Sequence, residues 1–257
     1  MPTTDPAITN LPTTIDEVVA RIDDIIDQSR EDNSRIGYFA ALYRQVTVGV
    51  RDGIAAGEFE DGERMERLDV IFANRYLEAL EQYQNDIQPT KSWLITFQAT
   101  KKWNLLILQH LLMAINAHIN LDLGIAAVET RPGESLQELE NDFMAINKIL
   151  SDLLDVVQDK IDALSPGFNL IDKIGGRTDE AIMRFSIQRA RDEAWKFANE
   201  LAGLNPEEQK KKIAEKDEQI EALAKIVRNP GWFIKTILFL IRMFETSKVS
   251  KVINVLF

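Results

Sequence analysis

Between residues 105 and 128 the chain holds 24 residues, of which only Gln109, His110, Asn116, His118, Asn120 and Asp122 are neither apolar nor glycine. The apolar residues point in every direction around a helical wheel, and a helix that is hydrophobic all round is a buried one. This stretch sets the plan of the molecule, because other segments must wrap it on every side. It also concentrates the chemistry, since both histidines of the protein lie within it. A buried polar group costs about 1–3 kcal/mol unless it finds a partner. The six exceptions must therefore form an internal network, a ligand site, or both.

The segments available for wrapping carry helical periodicity. Thr14-Ile15-Asp16-Glu17 has the form of a capping box, and Ile15, Val18, Val19, Ile22, Ile25 and Ile26 follow at helical spacing. Apolar stripes predict further helices over residues 37–54, 61–85 and 135–164, the last opened by a second capping box at Ser135. Beyond Ser165-Pro166-Gly167 and a connector with Gly175-Gly176, another helix is expected from Thr178 to Ala202. Asn205-Pro206-Glu207-Glu208 combines a cap, a proline at the first position and acids in the first turn. It opens a mostly charged helix whose narrow seam, Ile213, Ile220, Leu223 and Val227, suits packing on one neighbour or protrusion. Strand-like alternation is absent, and 12 glycines and 8 prolines are too few for a sandwich or barrel. The expected fold is all-α, an irregular bundle of about eight to ten helices around the buried central helix. It divides into a loose tail (1–12), a helical core domain (13–204) and a C-terminal helical region (205–257) packed on the core or extending from it.

Several function classes drop out. With no cysteine, thiolate catalysis, iron–sulfur clusters and Cys-ligated zinc are excluded. A net charge of −11 argues against nucleic acid as a partner, and the run Lys210-Lys211-Lys212 sits among Glu207, Glu208, Glu215, Asp217 and Glu218 as a solvated face. Met1-Pro2-Thr3-Thr4-Asp5 shows no basic segment leading into an apolar one, so the expectation is a soluble, cytoplasmic protein. Residues 232–244 are strongly apolar but number thirteen, against the ~20 needed to span a bilayer. They read as a core-packing helix, or as one lying on a membrane surface with Lys235 and Arg242 snorkelling beside Trp232, Phe233 and Phe239.

Helix geometry sorts the polar residues of the central helix. His118 and Asp122 are four apart and share a face; Asn116 and Asn120 form a second such pair on nearly the opposite side. His110 lies ~12 Å from His118 along the axis, so the two cannot ligate one metal ion. One divalent ion held by His118 and Asp122 would need carboxylates from other helices, for which Glu78, Glu81 and Asp142 are candidates. The Glu-x-x-His pairs of di-iron bundles are missing. Without metal, the pair could act as general base and orienter, or simply fix helix register. Asp142 and Asn147 flank an apolar stripe, and Arg184 and Arg191 share a face with Trp195 four residues on. Such an arginine could neutralise Asp122 or Asp142, or hold an anionic ligand.

The string Ala117-His118-Ile119-Asn120-Leu121-Asp122-Leu123 resembles that of a bacterial all-helical family of unknown function. Residues 39–47, residues 68–76 with Ala79-Leu80, Asp142 with Asn147, and Ala190-Arg191 with Ala194-Trp195 share the likeness, which covers residues 35–200. The resemblance implies the same helical fold and the same central helix, without an activity. In that family a proline often follows the string; here Gly124 stands in its place, which implies a different helix end. A weaker similarity is to zinc phospholipases and single-strand nucleases, whose multi-zinc sites require more histidines than the two present here. Two functions stay open. One is an enzyme that uses His118 and Asp122, with or without one divalent metal, for water activation or proton transfer on a small or lipid-like substrate. The other is a non-catalytic helical protein binding an apolar ligand or protein partner, with purely structural polar residues at its core. Oligomeric state is not legible.

Overall fold

The protein is seen in a computed structural model that describes residues 11–131, 135–164 and 187–257, with side chains for all but 151–163 and 188. Among the described residues there are ten helices and no strand: α1 (Ile15–Glu31), α2 (Ile36–Ala55), α3 (Gly62–Gln84), α4 (Lys91–Thr100), α5 (Ile107–Thr130), α6 (Gln137–Leu164), α7 (Ile187–Ala202), α8 (Pro206–Arg228), α9 (Trp232–Arg242) and α10 (Val249–Leu256). The expected features at Ser165-Pro166-Gly167, Gly175-Gly176, Thr178 and Arg184 lie outside the described residues.

Local signals explain the helix ends. Thr14 Oγ1 accepts from the Glu17 amide at 3.3 Å, while the Glu17 carboxylate takes the Thr13 amide at 2.7 Å. The α8 capping box forms in both directions, Asn205 with Glu208. The long apolar run after Pro89 is two helices, because Lys101, Lys102, Trp103 and Asn104 form an exposed break between α4 and α5. At the start of α5 the buried Glu245 carboxylate accepts from the Ile107 amide and Gln109 Oε1 from the Leu106 amide. Two amide donors that a helix N-terminus leaves without partners are thereby satisfied.

α5 is long and apolar enough to cross a membrane, yet 78% of its most apolar window is buried inside the bundle. It is a core helix. The largest core cluster joins α1, α2, α3, α4, α5 and α10, with Val18, Ile22, Tyr76, Trp93, Leu111 and Ile253 among its members. A second joins α3, the later half of α5, α6 and α7 through Met65, Leu123, Phe143 and Ala194. α10 is not apparent in the sequence pattern, but Val252 and Ile253 are fully buried against the N-terminal helices. Gly37 permits that approach, since a Cβ there would meet Ile253 and Ser29 at 2.6 Å.

The C-terminal helices also depart from expectation. α8 packs on both α4 and α5, and Asp217, expected on a solvated face, is buried and accepts from the Lys91 and Ser92 amides at the start of α4. Arg242, which would snorkel outward only in the membrane-surface reading, is turned inward. Its Nε donates to the Trp103 carbonyl at 2.7 Å, and its guanidinium stands 3.8 Å from Glu245.

Candidate functional site

Along α5 the backbone winds as a π-helical turn over His118–Leu123, flanked by α-helix on both sides. Such turns are rare and often accompany functional sites. The turn carries both members of the four-spaced pair. His118 Nδ1 is 3.3 Å from Asp122 Oδ2, and both side chains are buried. Asp122 gathers two further donors: Trp93 Nε1 of α4 at 2.8 Å on Oδ2, and Arg75 Nε of α3 at 3.1 Å on Oδ1. One carboxylate thus ties three helices together. Arg75 also stands 3.6 Å from Glu129.

Five rings enclose the His118 imidazole. Phe72 lies flat on it, with centroids 3.6 Å apart and planes 9° from parallel. Tyr43 meets it edge-on at 4.6 Å, and Phe39, Trp93 and Tyr76 complete the box at 5.6, 6.0 and 6.2 Å. Phe72 alone of the five is partly exposed. Burial pushes the imidazole below its ordinary pKa, against the opposing hydrogen bond and charge of Asp122. It is held neutral. If the proton sits on Nδ1, facing Asp122, then Nε2 presents a lone pair.

That Nε2 has no hydrogen-bond partner, and neither do the buried hydroxyls of Tyr43 and Tyr76 or Oδ2 of Asp69. Asp69 is on α3, seven residues before Tyr76, and burial followed by the charge of Glu66 raises its carboxyl to about 7. Burial, reinforced by the Asp69 charge, holds the Tyr43 phenol well above its ordinary value.

His110 lies in a different setting. Neither ring nitrogen has a partner, Tyr38 packs edge-on at 5.9 Å, and burial pulls its pKa to about 3, helped by the charges of Arg35 and Arg242. It lines a cavity of about 20 Å³ together with Phe39, Tyr76 and Trp93, so the rings that surround His118 also wall this second space. A groove of about 300 Å³ between α1 and α3, lined by Asp24, Gln28, Leu77 and Glu81, includes neither histidine.

The second four-spaced pair serves another neighbour. Asn120 Nδ2 donates to Asn116 Oδ1 at 3.0 Å, Asn116 Nδ2 to the Ile220 carbonyl at 3.2 Å, and Gln109 Nε2 to the Val227 carbonyl at 2.6 Å. Gln109 and Asn116 are seven apart, as are Ile220 and Val227, so the two clamps lock antiparallel α5 and α8 in one register.

The other candidate residues do not join His118. Asp142 accepts from the Glu60 amide at 2.6 Å, the Asp61 amide at 3.2 Å and Arg64 Nη2, anchoring the start of α3. Arg191 pairs with neither Asp122 nor Asp142. Its Nε donates to Asn147 Oδ1 at 2.6 Å, its Nη2 to the Phe143 carbonyl, and the guanidinium covers the Phe143 ring, on which Trp195 also packs. Burial lowers its pKa to about 9. The neutralising arginines are instead Arg75 and Arg64, which the sequence reading passed over. Glu78 is close enough to Asp122 and Arg75 to feel both charges, and burial raises its pKa. Among the described residues no group of three or more His, Asp or Glu side chains is placed to hold a metal ion.

Residues 15–230 match the model of a family of unknown function (DUF5995). No curated protein and no solved structure matches the chain.

Proposed function

Starting from the fact that the chain belongs to the family of unknown function DUF5995, whose chemistry has to be read from its own residues, we propose that His118 is the general base of a proton-transfer site for a small, largely apolar substrate. The observation that carries this reading is the unpaired Nε2 of a neutral imidazole whose other nitrogen faces Asp122. A histidine oriented by a carboxylate through one nitrogen and free at the other is the arrangement general-base catalysis needs. In the proposed step Nε2 takes a proton from a substrate, or from water attacking it. The resulting imidazolium is stabilised by Asp122, and the Arg75 and Trp93 donors keep that carboxylate in place. The unpaired hydroxyls of Tyr43 and Tyr76 supply donors for a substrate oxygen, and the aromatic walls favour an apolar body. Phe72, the partly exposed ring stacked on His118, is the entrance.

A second reading rests on a different observation. Asp122 collects donors from α3, α4 and α5 while His118 is only 2% exposed, as expected if the network serves only to fix packing. Hydrolysis of p-nitrophenyl acetate and butyrate separates the two. The proton-transfer reading expects the wild-type protein to exceed His118→Gln by about a hundredfold, with the two circular-dichroism spectra superimposable. Equal rates from two equally folded proteins, together with no shift of the His118 ring resonances when p-nitrophenol or butyrate is titrated in, would leave only the structural role.

A further inference from the structure

α9 is mostly apolar, but only one side of it is covered. Leu238 and Ile241 face inward with Leu106. The opposite side presents Trp232 (82% exposed), Phe233, Phe239, Leu240, Met243 (67%) and Phe244 (73%). At 100° per residue Trp232, Phe233, Phe239 and Leu240 fall within about 120° of the helical wheel, with Thr236 among them, and Met243 and Phe244 extend the patch in the turn that follows the helix. Trp103, 62% exposed in the break before α5, extends it, its ring 6.5 Å from that of Phe239. Exposed apolar surface of this extent marks an interaction site.

Charge identifies the occupant. From Ala222 to Phe257 the chain carries six basic residues and a single acid in a protein of net charge −11. That acid, Glu245, is buried and turned toward Ile107 and Arg242. Lys235 on α9, Lys248 and Lys251 beyond it, and Lys101 and Lys102 beside Trp103 are all exposed. Two copies meeting through this face would bring like charges together, whereas an anionic surface complements them. The helix has 11 residues, ~16 Å, too short to span a bilayer, and its Trp-, Phe- and Leu-rich face flanked by lysines suits insertion along the headgroup boundary.

We propose that α9, with Trp103, is a peripheral membrane anchor that lies in the surface of an anionic bilayer. This inference is independent of the His118 reading, because it uses none of the same residues. The test uses the full chain with phosphatidylcholine vesicles prepared with and without phosphatidylserine. Co-sedimentation is expected to be at least about tenfold stronger with phosphatidylserine and to weaken as salt is raised, with a blue shift of tryptophan emission. Trp232→Ser with Phe244→Ser, both at exposed positions, should abolish binding and leave the melting temperature unchanged. Lys235→Glu with Lys248→Glu should remove the preference for phosphatidylserine. Failure to bind either vesicle overturns the proposal. So does a concentration-dependent dimer, abolished by the same Trp232 and Phe244 substitutions, in a protein that ignores vesicles, since the face then belongs to a second copy.

Discussion

Phe72 and His118 are stacked with their ring centroids 3.6 Å apart, and Phe72 is also the one ring of the box that meets solvent. A single side chain on α3 therefore stands over the imidazole. Phe72→Ala is expected to cost about 2–3 kcal/mol, below the range for a fully buried phenylalanine. It should also expose His118 to diethyl pyrocarbonate. One histidine should react in the variant and none in the wild type, with His110 still protected behind Tyr38. Peptide mapping identifies the modified ring, and an unreactive His118 in a folded Phe72→Ala protein would show that the way in lies elsewhere.

Asp122 holds the site together by facing His118 Nδ1 and accepting from Trp93 and Arg75. Asp122→Asn leaves the half-buried Arg75 guanidinium with only the more exposed Glu129 as counter-charge, so the loss should fall at or below the low end of the about 3–5 kcal/mol seen when a buried pair is broken. Adding Arg75→Met should recover part of the loss, because the under-compensated cation is gone. Urea denaturation of the two single variants and the double variant measures the coupling. Strictly additive losses would mean that the two residues do not act as a pair.

Asp69 and His110 tilt the pH dependence of stability in opposite directions. The Asp69 carboxyl rises from 3.8 to about 7 on folding, so its neutral form is favoured. Its contribution is intact below pH 3.8 and is lost as pH climbs through 7, an effect of roughly 4 kcal/mol. His110 falls from 6.5 to about 3, so its contribution is intact above pH 6.5 and is lost as pH drops toward 3. Between these limits the two slopes offset each other. Asp69→Asn should match the wild type in stability near pH 4 and exceed it increasingly up to neutral pH. Chemical denaturation across that range checks the sign; a gap that fails to widen with pH would contradict it.

Gly124 ends the π-helical turn where α7 crosses it. A Cβ there would lie 2.8 Å from the Phe197 ring and 2.9 Å from the Ala194 carbonyl oxygen. Glycine to alanine inside a helix normally gains about 1 kcal/mol, but overpacking against backbone costs about 1–3 kcal/mol. The clash should win. A lower melting temperature for Gly124→Ala is the expected outcome, and a higher one would mean that α7 can shift aside.

The spacing of residues on α5 was enough to foresee which polar side chains meet. His118 finds Asp122 and Asn120 finds Asn116, since four-residue neighbours face each other whatever surrounds them. The π-helical turn that carries the first pair was not foreseeable, because it is a backbone choice made under tertiary packing. Asp69 and Arg75 were not legible because a charged residue beside an apolar stripe such as Met65, Leu68, Phe72 and Tyr76 reads as solvated until its neighbours on other helices are known. A lone acid seven residues before a stripe tyrosine is the signal that could have found the first. The burial of Asp217 and of Arg242 was not legible for a common reason. Charge composition predicts exposure on average, and each instead satisfies specific backbone groups, the Trp103 carbonyl in one case and the Lys91 and Ser92 amides in the other. α10 escaped notice because eight residues mixed with lysine and serine give too little periodicity to read.

α10 also sets a timetable for folding. Arg30 on α1 bonds Asn254, 224 residues further along the chain, and Gln45 on α2 bonds the Leu256 carbonyl. α1 and α2 thus wait, with the cluster of Val18, Ile22 and Tyr38 incomplete, until α10 is made. Contacts of such long range are closed late and leave apolar surface exposed during synthesis. A nascent chain stalled short of residue 249 should be a client for chaperones, and the Arg30 and Arg44 guanidinium groups that stack on Phe257 join the same late contact.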